Sequence, residues 1–274
     1  MKRWLANLAA VSGSVAVSLL LAEGALRLVG IRYPAFYTVD AQRGYALRPG
    51  ATGMWTREGR GAVRVNSAGF RGGDVSLDPP ADVLRVAVLG DSFTEALQVD
   101  EQATWVQQLQ AQLNADQRCP LRRGRASGVQ LLNFGVGGYG TGQELLTWRH
   151  LASHYNPQLV VLAIYPGNDF TDNEPKAQVD RPVFRLGSDG QLQLDASFRQ
   201  QPGTRWRLSL PGQMVEAVMN HSRLLQLLNE AKNRMAAQPS APASKTAAPV
   251  PTTPKASEQA VSYTHLTLPT ILLV

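Results

Sequence analysis

The sequence predicts an α/β protein built on a parallel sheet with helices packed against it. Three short apolar runs carry that prediction: Val83–Leu89, Val129–Asn133 and Leu159–Ile164. Each is apolar with little alternation, the pattern of a strand buried on both faces. The stretches between them have helical periodicity, and the order strand–helix–strand–helix–strand calls for parallel strands joined by right-handed crossovers. Each run also ends abruptly in a glycine-bearing polar segment: Gly90-Asp91-Ser92, Gly135-Val136-Gly137-Gly138-Tyr139-Gly140, and Tyr165-Pro166-Gly167-Asn168-Asp169. In open α/β sheets the ligand crevice lies just beyond the carboxyl ends of the strands.

The chain opens with Met1-Lys2-Arg3 and continues without a charge from Trp4 to Ala22, about the length that crosses a bilayer core. The positive leader favours an N-terminus on the cytoplasmic side, with the remainder extracytoplasmic. Residues 1–30 are therefore expected to form an uncleaved signal anchor. A cleaved signal peptide and a buried soluble helix are the alternatives. Residues 31–80 are rich in Gly, Pro and Arg with little periodicity, and read as an extracytoplasmic lead-in. Within them, Arg64-Val65-Asn66-Ser67-Ala68-Gly69-Phe70-Arg71-Gly72 reads as a strand entering a turn.

The main domain is expected over 81–235. Thr104-Trp105-Val106-Gln107 has capping-box spacing, and Trp105, Val106, Leu109 and Leu113 follow as one apolar stripe with water-facing glutamines between. Thr141-Gly142-Gln143-Glu144 has the same spacing and opens a helix with Leu145, Trp148, Leu151, Ala152 and Tyr155 inward. Asn156-Pro157 ends it, because the residue before proline disfavours the α region. Pro182–Leu186 and Gln191–Leu194 flank a glycine-bearing turn and read as a hairpin. Ser222 caps a helix to Met235. Residues 236–274 are low in complexity and expected to be disordered; Ser262–Thr270 resembles a translated sequencing adapter more than native protein, with a short apolar strand as the alternative.

Composition narrows the function classes. The net charge of +6 is scattered apart from Arg122-Arg123-Gly124-Arg125, which reads as a solvated loop; with no accompanying motif, nucleic acid is not an expected partner. A single cysteine, Cys119, excludes an intrachain disulfide. His150 and His154 are four apart and could share a helical face, but no third ligand accompanies them, so no metal is expected.

Ser92 stands where a nucleophile would be useful; a polar turn with Asp91 or Ser92 capping the next helix is the plainer account. The three strand-end blocks together resemble the SGNH (GDSL-type) serine esterase superfamily over roughly residues 60 to 230. That resemblance implies a flavodoxin-like three-layer α/β/α fold. It implies Ser92 as nucleophile, with an oxyanion hole of the Ser92 N–H, the Gly138 N–H and the Asn168 carboxamide. Asp91 and Asp169 would support the site, and no cofactor would be needed. Membrane-anchored bacterial members carry a stretch similar to Asn66–Arg71 ahead of the first block. The implied substrate is an acyl ester, O-acetylated envelope glycans among them, reached from a membrane tether.

The family's late Asp-x-x-His is missing. None of His150, His154, His221 and His265 has an aspartate three residues earlier, so the general base is unassigned. The chain is therefore expected to be a fragment of an esterase and nearly inactive. An SGNH-type O-acetyltransferase and a non-catalytic membrane-tethered envelope binding or assembly protein are the competing readings. Gly135-x-Gly137-x-x-Gly140 also has dinucleotide-loop spacing, but the strand ending at Tyr165 supplies no acidic residue for a ribose.

Overall fold

The computed structural model describes residues 2–116, 118–122, 128–167, 169, 171–174 and 181–236. Asn168, Arg123–Arg125 and the tail after 236, His265 included, lie outside the described residues. The described chain forms two compact units, one of residues 2–35 and 209–236, the other of 36–208.

The first unit begins with α1 (Lys2–Val29), long and apolar enough to cross a membrane, its apolar side chains exposed along its length.

The second unit is organised around β5. Ahead of it come two antiparallel hairpins, β1 (Tyr37–Asp40) with β2 (Gly44–Leu47) and β3 (Thr52–Trp55) with β4 (Gly61–Arg64). The lead-in, where the sequence shows little periodicity, thus contains four short strands. Strands of four residues carry too few alternating positions to register as periodicity, and here side-chain packing decides them. Phe36, Leu47, Val63 and Val65 pack with Leu97, Val136 and Tyr139 into one apolar cluster.

β5 (Val83–Gly90) is the middle strand of a three-stranded parallel sheet, between β6 (Gly128–Asn133) and β7 (Leu159–Ala163). Its side chains alternate between two covered faces. Leu84, Val86 and Val88 meet Val106, Leu109 and Leu113 of α3 (Trp105–Ala115). Ala87 and Leu89 meet Phe70, Phe134, Ala152 and Tyr155 beyond α4 (Thr141–His150). The run is apolar except for Arg85, which is fully buried and donates to Gln130 Oε1 and to the carbonyls of Ser76, Leu77 and Tyr155. Such partners are what a buried guanidinium requires.

Three local expectations need correction. Thr104 does cap α3, its Oγ1 accepting from Gln107 N at 3.3 Å, but Trp105 in the first turn is 36% exposed and lies outside the core. Gln110 is half-buried, accepting from Leu131 N at 2.7 Å, so not every glutamine of α3 faces water. Thr141 caps nothing: α4 starts from Gly140, and its buried face is the polar set Gln143, Glu144 and Thr147 together with Leu146. A capping box needs its threonine outside the helix, and here it is the first helical residue.

The hairpin follows as β8 (Val183–Leu186) and β9 (Leu192–Asp195), then α5 (Pro202–Leu208). Back in the first unit, α6 (Leu210–His221) leads into α7 (Arg223–Ala236). Ser222 Oγ accepts from Leu225 N at 3.2 Å, the expected cap. α7 packs along α1.

Candidate functional site

At the carboxyl end of β5 the chain turns sharply into α2 (Ser92–Glu95). Asp91 caps it, Oδ1 accepting from Phe93 N at 2.9 Å. Gly90 is required because a Cβ there would collide with Thr94 and approach the Ala163 carbonyl to 3.1 Å. Ser92 is half-buried as the first helical residue, so its N–H has no acceptor within the helix. Beside it the Phe93 and Tyr165 rings pack at a 44° tilt with centroids 4.6 Å apart, 61% and 43% exposed.

Two side chains from outside α2 fix its far end. Arg71 is buried, and its guanidinium donates to the carbonyls of Glu95 (2.6 Å), Ala96 and Val99 (2.6 Å). The Glu95 carbonyl belongs to the last turn of α2, whose acceptors have no donor within the helix, while the Ala96 carbonyl also accepts from Val99 N at 3.3 Å. Arg71 also bridges Asn133 through its backbone, and Asn133 Nδ2 donates to the Thr94 carbonyl at 2.7 Å while its Oδ1 accepts from Gly135 N. Asn66 shapes the turn that delivers Arg71, accepting from Ala68 N and Phe70 N at 3.1 Å each.

The glycine-rich loop after β6 lies against this turn. A Cβ at Gly135 would come within 2.5 Å of Glu95 N. At Gly137 it would stand 2.8 Å from Glu95 Oε2, 3.1 Å from the Tyr37 hydroxyl and 3.6 Å from Ser92 Cβ. Gly138 has φ +73°, left-handed backbone that favours glycine, and a Cβ there would meet the Tyr45 hydroxyl at 2.9 Å. The loop carbonyls are held from outside the sheet: Tyr45 donates to Gly137 O at 2.8 Å and Arg181 to Gly138 O at 2.6 Å.

Glu95 joins loop and turn. Its carboxylate accepts from the Tyr37 hydroxyl at 2.7 Å and stands against the Gly137 backbone. Burial raises its pKa to about 7, against the lowering pull of Tyr37, the Gly137 N–H and Arg71. Beneath the turn sit further carboxyls. Asp169 Oδ2 accepts from Tyr165 N at 2.6 Å, which closes the Tyr165–Asp169 turn. Burial, then the Asp91 and Asp172 charges, lift Asp169 to about 6. Burial, then Asp169 and Asp91, lift Glu144 to about 8, and neither Glu144 oxygen has a partner among the described residues. Burial likewise raises Asp91.

Ser92, Asp91, Gly138 and Asp169 thus gather around the end of β5, and Asn168 lies outside the described residues. No histidine joins them among the described residues. α4 starts at the glycine loop, which leaves His150 about 14 Å along its axis at the far end. His150 and His154 are exposed, and no metal-holding group occurs among the described residues. Tyr37, Tyr45, Arg71 and Glu95 escaped notice at the sequence level. The signal for Arg71 was its place in the Asn66–Arg71 turn, and for Glu95 its position one helical turn after Ser92. Comparison with protein-family models, with curated proteins and with solved structures gives no match for this chain.

Proposed function

We propose that this chain carries the nucleophile side of an SGNH-type serine ester hydrolase, with the flavodoxin-like α/β/α architecture of that superfamily. The observation that carries the reading is the contact between the Gly135–Gly140 loop and the Ser92 turn: a Cβ at Gly135 would meet Glu95 N at 2.5 Å, and one at Gly137 would stand 2.8 Å from Glu95 Oε2. In this reading Ser92 Oγ attacks an acyl carbonyl. The Ser92 and Gly138 N–H groups, with the Asn168 carboxamide, receive the oxyanion. Such donors contribute most when fixed beforehand, each worth about 10²–10³ in rate. Arg71, Asn133 and Glu95 supply that fixity by holding both backbone segments. Phe93 and Tyr165 offer an aromatic rim for the apolar part of an acyl ester, and α1 would tether the enzyme to a membrane with the second unit extracytoplasmic. O-acetylated envelope glycans are the substrate class this tether favours, with acetyl transfer to a sugar hydroxyl as the variant that differs only in acceptor.

A second reading, a non-catalytic membrane-tethered binding or assembly protein on the same fold, is favoured by one observation: the sequence contains no Asp-x-x-His. A serine without its base retains about 10³–10⁴-fold catalysis over water from binding and the oxyanion hole alone. The full chain in detergent should therefore take up a fluorophosphonate probe slowly at Ser92, and hydrolyse a short nitrophenyl ester slowly. Probe uptake should vanish in Ser92→Ala, while hydrolysis that needs only binding and the oxyanion hole should persist. Absence of Ser92-dependent probe uptake would reject the esterase reading in favour of the binding protein.

A further inference from the structure

α6 carries an apolar face that the folded chain leaves open. At 3.6 residues per turn Leu210, Met214 and Val218 form one row, with Pro211 and Val215 beside it. All five are exposed, Leu210 by 77% and Met214 by 69%. The helix has one carboxylate, Glu216, which is half-buried and lies off this face. Contiguous exposed apolar surface of this kind marks contact with a partner or a membrane.

The attachment of α6 indicates which. Its junction with α7 is fastened to α1. The Glu23 carboxylate accepts from Ser222 Oγ, Arg223 N and Leu224 N, each at 3.0 Å, and Arg27 donates to the His221 carbonyl at 2.6 Å. Glu23 is the residue at which the uncharged stretch of α1 ends. The junction therefore stands at the edge of the apolar section. From that level α7 packs along α1. The C-terminal end of α6 thus stands at the height where a bilayer's hydrocarbon gives way to headgroups, and the row that leads up to it is uncovered. Arg27, paired with Glu23 at 2.7 Å, and Arg223 stand at that level, and cations there suit anionic lipid phosphates.

We propose that α6 lies in the lipid–water interface of the membrane that α1 enters, its Leu210, Pro211, Met214, Val215 and Val218 face set into the acyl boundary. An amphipathic helix seated this way adds apolar and electrostatic binding to a single-span tether. The proposal rests on α1 as a membrane anchor.

The test uses the full chain carrying single introduced cysteines: Met214→Cys, Val218→Cys, Leu19→Cys and Asn229→Cys. Each is labelled with an environment-sensitive fluorophore and reconstituted in phosphatidylcholine–phosphatidylglycerol vesicles. Cys119 is buried, and the unsubstituted protein sets its background. Labels at 214 and 218 should be quenched by lipids bearing a nitroxide near the headgroup, and quenched by aqueous iodide several-fold less than the label at Asn229. The Leu19 label should respond to a nitroxide deep in the acyl chain. Iodide access at 214 and 218 with Leu19 in lipid would overturn the interfacial helix and leave the anchor standing. Leu19 in water would defeat the anchor reading, and this proposal with it. Shielding at 214 and 218 that persists in detergent, with energy transfer between differently labelled molecules, would give the face to a second copy of the chain and overturn the proposal.

Discussion

Replacing Glu144 by glutamine should flatten the pH dependence of stability in the 36–208 unit. Glu144 is 1% exposed on the inner face of α4, neither oxygen has a partner among the described residues, and burial with the neighbouring Asp169 and Asp91 charges raises its pKa from 4.5 to about 8. Between those values the folded chain keeps a proton that the unfolded chain has released. Unfolding then sheds a proton, so the contribution is full below pH 4.5 and lost as pH rises through 8. Each pKa unit corresponds to about 1.4 kcal/mol, so the shift sets a ceiling of about 5 kcal/mol. Dielectric relaxation around a buried charge lowers the expected loss to about 2–3 kcal/mol. The amide has the same shape and no charge to release. Glu144→Gln should match the parent within about 1 kcal/mol at pH 5 and exceed it by about 2–3 kcal/mol at pH 8. Urea unfolding in detergent micelles at several pH values, followed by tryptophan fluorescence, measures the difference. Parallel stability curves for the two proteins would refute the argument, since they would mean that Glu144 ionises in the fold as readily as in water.

Gly137→Ala has no left-handed φ to strain, yet its methyl would displace the Glu95–Tyr37 pair. It should cost about 2–4 kcal/mol in the same assay and abolish probe uptake at Ser92. Arg71→Met takes the guanidinium donor from the carbonyls of Glu95, Ala96 and Val99. It should destabilise by about 3 kcal/mol, with Arg71→Lys intermediate by urea unfolding. His150→Ala and His154→Ala, both exposed, should change neither stability, within about 0.5 kcal/mol, nor the rate of Ser92 labelling by mass spectrometry.

The parallel sheet was legible because burial on both faces leaves its own mark: continuous apolar runs that stop at glycine. The Thr104 and Ser222 caps were legible because capping is decided by neighbours in sequence. What could not be read is set by contacts distant in sequence. Trp105 fits an apolar stripe, but Val106 beside it takes the buried position in the first turn of α3 and leaves the indole exposed. Glu144 fits a capping box, but α4 lies over the carboxyls at the end of β5, and its polar residues turn inward. Tyr37 and Glu95 meet across 58 residues of chain, and no local pattern announces such a pair. Asp91 caps α2 while standing next to the candidate nucleophile, so the plain and the functional accounts of that turn describe the same atoms.

The Arg71 clamp changes what counts as the site. A chain begun at Val83 would keep every residue of the parallel sheet, Ser92 and the glycine loop. It would lose the guanidinium, the two tyrosine hydroxyls and the apolar wall that steady them. The Ser92 turn is moored from upstream, so a mutation at Asn66 or Tyr45 disturbs its position as surely as one beside the serine. Swapping the hairpins between related chains would carry that mooring along.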